Sequence, residues 1–309
     1  MITKNSHLPV LQKEILEYSI PKAVKTVFDG TLGLGGHGEA ILRAFPDIVH
    51  YIGTDLEAQH LDFAKERLKN WHQKLILEVD NFSSIQKIVQ KENIAHPLFI
   101  LLDLGICSHH VDNAEKGFSY QAEGPLNMAF ADQEKTAEVV VNTYEEADIV
   151  RILREYGEEP AAKKIAKSIT QARTHQPLRT TLELRSIVEQ SVHPRERSGA
   201  VKRTFQAIRI EVNGELEHLQ KALHDGLEVM KKGDRMAVIT YHSLEDRMVK
   251  QFFVSISKPL TGPSLYSLHE ELEPAQAKNI TKKPILPTPQ EIESNPRARS
   301  AKLRIIEKL

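Results

Sequence analysis

The chain has little cysteine: Cys107 alone in 309 residues. An internal disulfide is therefore excluded, and a reducing compartment is expected. It also lacks net charge, with 41 basic against 42 acidic side chains. Any attraction to a polyanion must then come from a local cluster rather than from the whole molecule. No apolar run approaches the roughly 20 residues that a membrane helix needs, so no membrane association is expected. The opening Met1-Ile2-Thr3-Lys4-Asn5-Ser6-His7 carries no apolar signal core, and a cytoplasmic location is expected. Metal-ligand spacing is missing as well. His109 and His110 are adjacent and do not share a face, and no Cys or His pair complements them, so no metal is expected. There is no internal repeat.

What is present reads as a globular α/β chain, 40% apolar and 27% charged. Residues 22–105 alternate between strand and helix patterns. Strands are expected at Val24–Phe28, Val49–Thr54, Leu75–Val79 and Leu98–Leu104. Helices are expected at Gly36–Phe45, Leu56–Trp71 and Ser83–Gln90. Such alternation predicts a mostly parallel sheet with helices on both faces. The pattern then changes. Residues 106–140 are loop-rich and about 143–230 mostly helical, with Ile149, Ile152, Leu153, Ile165 and Ile169 at helical spacing. A strand is expected again at Arg235–Tyr241 and a helix from Leu244 to about Val254. Residues 258–296 are Pro-rich and read as loop, and Ala301–Glu307 as a final edge strand. A helical module inserted after the fourth strand accounts for this order.

The densest signal is Thr26-Val27-Phe28-Asp29-Gly30-Thr31-Leu32-Gly33-Leu34-Gly35-Gly36-His37-Gly38. A strand running into glycines and then a helix presents bare backbone to a nucleotide-like ligand. Gly33-x-Gly35-x-x-Gly38 also matches the dinucleotide fingerprint of NAD-dependent oxidoreductases. Asp29 favours another ligand: an acid ahead of the loop repels a pyrophosphate. It suits the ammonium and sulfonium of S-adenosylmethionine. Asp55 ends the next strand, where a carboxylate accepts ribose hydroxyls. Asp80, Asp103 and Tyr241-His242-Ser243 end further strands, although Asp80 reads equally as a helix cap. Phe82 offers a flat surface for adenine. Arg195, Arg197, Lys202, Arg203 and Arg209, with Arg297, Arg299 and neighbouring lysines near the end, are local basic clusters of the kind that meet phosphates.

Eight motifs in order then coincide: His7-Leu8-Pro9-Val10-Leu11, the Asp29–His37 loop, Leu102-Asp103-Leu104-Gly105, Gly117-Phe118-Ser119-Tyr120 with Gly124-Pro125-Leu126, Glu155-Tyr156-Gly157-Glu158-Glu159, Arg203-Thr204-Phe205-Gln206-Ala207-Ile208-Arg209-Ile210, His242-Ser243-Leu244-Glu245-Asp246-Arg247 and Asn295-Pro296-Arg297-Ala298-Arg299-Ser300. Together they resemble the RsmH (MraW) family of ribosomal RNA cytosine-N4 methyltransferases, over nearly the whole chain. The resemblance implies a Rossmann-like class I methyltransferase, with residues 1–108 and 215–309 forming the methyltransferase domain and 109–214 an inserted helical substrate-recognition domain. It implies S-adenosylmethionine as methyl donor and 16S ribosomal RNA in the small ribosomal subunit, in the decoding region, as substrate. Cofactor contacts then fall on Asp29, Gly33, Gly35, Gly36, His37, Asp55, Phe82, Asp103 and His110. RNA contacts fall on Arg197, Lys202, Arg203, Arg209, Arg297 and Arg299. Asp103, Asn127 and His242 are the candidates for handling the amine proton. The family's Gly-Pro-Leu-Asp-Met-Arg-Met-Asp reads here Gly124-Pro125-Leu126-Asn127-Met128-Ala129-Phe130-Ala131-Asp132, an amide for an acid and an alanine for an arginine. A ribosome-assembly factor that keeps the cofactor pocket without catalysis is the rival reading, and a homodimer through the helical module is an open expectation.

Overall fold

A computed structural model of the chain describes residues 9–106, 113–262 and 270–309. The chain divides into two compact units, Met1–Gly105 with Glu217–Leu309, and Ile106–Leu216.

The first unit is built on a seven-stranded sheet. Its strands are β1 (Thr26–Asp29), β2 (His50–Asp55), β3 (Leu75–Val79), β4 (Leu98–Asp103), β5 (Arg235–Thr240), β8 (Ala277–Asn279) and β9 (Lys302–Lys308). The order is β3-β2-β1-β4-β5-β9-β8. β1 to β5 are parallel, whereas β9 runs antiparallel to β5 and β8 antiparallel to β9. Alternate residues of a strand face opposite sides, so a doubly covered sheet needs apolar residues at every position. β4 meets this with Leu98-Phe99-Ile100-Leu101-Leu102, all buried. On one side Val27, Tyr51, Phe99, Leu101, Ile239 and Ile305 pack with Ile41, Leu42, Leu61 and Leu68. On the other, Phe28, Ile52, Ile100, Leu102 and Val238 pack with Ile85, Leu219, Leu223, Val249 and Phe253.

Three expectations need correction here. The last strand is not an edge: β9 lies between β5 and β8, and three-residue β8 takes the edge. β8 falls in the stretch read as loop, as do β6 (Leu260–Gly262) and β7 (Glu270–Glu273), which pair as a separate hairpin. Strands of three or four residues, one of them Glu-Glu-Leu-Glu, carry no apolar alternation by which to be found. The expected Leu56–Trp71 helix is shorter, an α-helix at Ala58–Arg67 followed by a 3-10 stretch at Lys69–Lys74 kinked at Trp71.

The second unit has its own core. Helices Ala137–Thr143, Glu146–Glu155, Ala162–Arg173, Thr181–Ser191 and Arg197–Asn213 bury Ile149, Ile152, Leu153, Ile165 and Ile169, the residues whose spacing predicts them. Before the first of these helices, Phe118 and Phe130 stack with ring centres 5.4 Å apart. Gly117 turns this loop at φ +69°, where a Cβ would run into the carbonyl oxygen of Pro125.

Candidate active site

β1 and β4 are neighbours in the sheet, and the strand order reverses between them. Ligands of open α/β sheets bind beyond the carboxyl ends of the strands at such a reversal. Asp29 closes β1 and Asp103 closes β4, so both acids stand at that point, with Asp55 closing β2 beside them.

The loop after β1 is tied down residue by residue. Gly30 N donates to Leu101 O at 2.9 Å, Leu32 N to Thr54 O at 3.0 Å, and Gly33 N to Asp55 Oδ2 at 3.0 Å. Gly35 N closes a turn onto Leu32 O at 2.9 Å, and the Gly36–Ala44 helix starts there. Gly35 has φ +78°, and a Cβ on Gly36 would lie 2.9 Å from Pro9 Cγ. The bare main chain is thus demanded by packing.

Asp29 is buried, accepts a hydrogen bond from Tyr51 OH at 2.8 Å and another from Thr31 N at 3.3 Å. Burial pushes its carboxyl up to about 6, against the opposing pull of His37 and these two donors. Asp103 is partly exposed. Its Oδ1 accepts from Tyr241 OH at 2.7 Å, and its backbone N donates to Thr31 Oγ1 at 2.7 Å. Burial, and then the charge of Asp103, holds the Tyr241 hydroxyl well above the usual tyrosine range, so it stays a proton donor to that carboxylate. His37 is buried, with Nε2 3.5 Å from Asp103 Oδ2. Neither of its ring nitrogens finds a hydrogen-bond partner among the described residues. A buried polar side chain without partners leaves hydrogen-bonding capacity for a ligand to fill. Phe82, partly buried, opens a 3-10 turn after β3, capped by the Asn81 side chain. Asp80 accepts from Asn81 N and Ser84 Oγ, bracing this turn, while the cap itself is Asn81. Three carboxylates, a buried histidine whose ring nitrogens make no hydrogen bond among the described residues, and a glycine loop partly open at Gly33 and Gly36 fit a ligand that carries positive charge. S-adenosylmethionine meets that description.

His242, a candidate for handling the amine proton, stands at a helix start. It caps the Ser243–Ile256 helix: Nδ1 accepts from Glu245 N at 3.4 Å, and Nε2 lies 3.1 Å from Glu245 Oε1. Nδ1 is thereby engaged with the helix backbone, and Nε2 faces a carboxylate. In the second unit, Asn127 spends its Oδ1 on Ala129 N at 3.0 Å, just before Met128 turns at φ +58°. His110 lies outside the described residues, as does Cys107.

The basic residues divide. Arg203 bonds Glu159 Oε2 at 2.8 Å, and Glu159 is buried. Arg209 grips both oxygens of Glu215 at 2.8 and 2.9 Å, largely out of solvent. Each thus neutralises a sequestered acid of its own unit, and Arg203 keeps part of its guanidinium side chain at the surface. Arg197 and Lys202 are exposed on the Arg197–Asn213 helix, and Arg297 and Arg299 are exposed in the Pro296–Ser300 turn. Sequence reasoning missed Tyr51, and it placed Tyr241 at a strand end without finding the acid it meets. Tyr51 reads as one more aromatic of an apolar strand, and in both cases the acid that accepts from the hydroxyl ends a different strand.

Known proteins resemble the chain over almost its full length. Ribosomal RNA small subunit methyltransferase H of Carboxydothermus hydrogenoformans is 43% identical over 98% of both chains. The proteins of that name from Halothermothrix orenii and Clostridium botulinum are 40% and 41% identical, again over 98% of this chain and 98–99% of theirs. The profile of the MraW methylase family matches residues 4–309. With acids closing the strands on either side of the reversal, the chain belongs to the MraW methylase family, methyltransferases whose methyl donor is S-adenosylmethionine.

Proposed function

We propose that the chain methylates N4 of a cytidine in 16S ribosomal RNA, in the decoding region of the small ribosomal subunit. The observation that carries this reading is the conjunction of the crevice at the β1/β4 reversal with full-length kinship to small-subunit ribosomal RNA methyltransferases. Bound in that crevice, S-adenosylmethionine supplies an electrophilic methyl group on a sulfonium. Asp55 would hold the ribose, Phe82 the adenine and His37 a polar end of the cofactor, with Asp29 and Asp103 favouring its positive charge. His110 belongs to the same proposed set, and Gly33, Gly35 and Gly36 give the approach.

The exocyclic amine of cytosine is a weak nucleophile, since its lone pair is shared with the ring. Orientation is then the first requirement, and a well-aligned pair can gain up to ~7–11 kcal/mol. As the new C–N bond forms and the C–S bond breaks, the nitrogen must shed a proton. Asp103 is the acceptor we assign: it is partly exposed and its Oδ2 is not taken by Tyr241. Asn127 offers an amide carbonyl that can receive a hydrogen bond but not the proton. The cytosine must leave its stack to reach the crevice. Residues 109–214 act as the substrate-recognition domain in this reading, with Arg197 and Lys202, together with Arg297 and Arg299, on phosphates. A ribosomal substrate places the protein in the cytoplasm, and no helix among the described residues is long and apolar enough to cross a membrane.

The test is transfer of tritiated methyl to small subunits from cells that lack the protein, followed by mass spectrometry of the RNA. Label in N4-methylcytidine is expected. Binding of subunits without label would favour the assembly-factor reading, and binding of NADH in a fluorescence titration would favour the oxidoreductase.

A further inference from the structure

Beneath the Asp55 carboxylate lies a histidine that the proposed chemistry does not use. His60 sits on the Ala58–Arg67 helix with no solvent exposure at all, while the side chain of Asp55 remains 15% exposed. His60 Nδ1 is 3.1 Å from Asp55 Oδ1, and Nε2 is 3.7 Å from Glu57 Oε1. Two backbone groups hold the same carboxylate, Glu57 N on Oδ1 at 2.9 Å and Gly33 N on Oδ2 at 3.0 Å. A carboxylate has about four lone-pair positions, two on each oxygen. Oδ1 is saturated by Glu57 and His60. Oδ2 has one position taken, on the side of the glycine loop, and one remaining.

We infer that His60 is a positioning residue for the cofactor's ribose: by filling the second acceptor position of Oδ1 from below, it fixes the Asp55 carboxylate so that Oδ2 is turned to a ribose hydroxyl. The carboxylate acceptor requires a proton on Nδ1. His60 itself touches no ligand, because it has no exposed surface. Without this third donor the carboxylate is held by two backbone amides alone, and Oδ1 has a lone pair to offer water or to swing toward the ligand. The inference rests on S-adenosylmethionine binding beside Asp55.

The test is a calorimetric titration of S-adenosylhomocysteine into the full-length protein and its variants, with melting temperature recorded alongside. His60→Leu keeps an apolar group of similar size and removes the donor. A hydrogen bond to a charged group is at stake, so affinity is expected to fall about tenfold. His60→Asn returns an N–H close to the Nδ1 position and is expected to stay within about threefold of the parent, since one hydrogen bond is restored. The decisive arm is the pair cycle: once Asp55→Ala has removed the carboxylate, adding His60→Leu should cost no further affinity. Equal losses in both backgrounds, or failure of His60→Asn to recover binding while it melts like the parent, would overturn the positioning role. Absence of binding by the unaltered protein would overturn the cofactor reading instead, and this inference with it.

Discussion

Asp29 is an acid that the fold holds at a cost, and Asp29→Asn measures it. The substitution keeps the volume and hydrogen-bonding shape. The amide oxygen can still receive Thr31 N–H, and its NH2 can donate to the Tyr51 hydroxyl, which accepts as well as donates. What disappears is the charge. The rise from the ordinary 3.8 to about 6 corresponds, at about 1.4 kcal/mol per pH unit, to about 3 kcal/mol. The sign follows from proton counting. Between pH 3.8 and about 6 the folded protein holds a proton on Asp29 that the unfolded chain has released, so this group lowers stability as pH rises through that window. Relative to the parent, the Asn variant should be more stable by about 3 kcal/mol at pH 8, about 1.5 at pH 5 and about 0.5 at pH 4. Urea unfolding followed by fluorescence is the assay. Trp71 is the one tryptophan of the chain and packs, partly buried, against the core of the unit that holds Asp29, so the signal reports on the right part. A gain that does not change from pH 4 to pH 8, or a less stable variant at pH 8, would refute the reasoning. The same variant should bind S-adenosylmethionine more weakly, since an acid held at such cost is expected to repay it in ligand attraction.

S-adenosylhomocysteine at a hundred times its Kd should stabilise the protein by about 2.7 kcal/mol, read as a rise in melting temperature, and at the same concentration the weaker binding of Asp55→Ala should remove most of that rise. Arg203→Ala should cost about 3 kcal/mol in urea unfolding, because it strands buried Glu159. Lys202→Ala, one residue earlier and exposed, should leave stability unchanged. It should instead lower the salt dependence of RNA binding by about one phosphate contact, measurable by filter binding across a salt series. Asn127→Asp preserves the bond from Ala129 N and supplies a proton acceptor, so methyl transfer to small subunits should be kept or raised; a strong loss would give the amide a role of its own.

The parallel strands and the glycine loop were legible because their signals are local and repeated. β4 reads as buried from its unbroken apolar run, and the strand-helix alternation gives the doubly covered sheet. The acids at the strand ends followed, since position along a strand is itself a sequence property. Partners were not legible. Nothing local distinguishes Tyr51 from a core aromatic, or tells that Arg203 faces Glu159 while Lys202 faces water. His242 shows the same limit: a histidine ahead of Ser-Leu-Glu could be a base or a cap, and only the distance to Glu245 separates the two. The place of β9 was misjudged because the strand beyond it is three residues long.

The interruption between β4 and β5 has a consequence for biosynthesis. These strands are hydrogen-bonded neighbours, yet residues 104–234 separate them. At translation rates of about 5–20 residues per second, β4 is made roughly ten seconds before its partner. During that wait Leu98-Phe99-Ile100-Leu101-Leu102 forms an open, apolar sheet margin, the kind of template on which nascent chains aggregate. The intervening helices, with a hydrophobic interior of their own, can mature in the meantime. Chaperone capture of translation intermediates should accordingly peak after β4 is released and subside once β5 emerges.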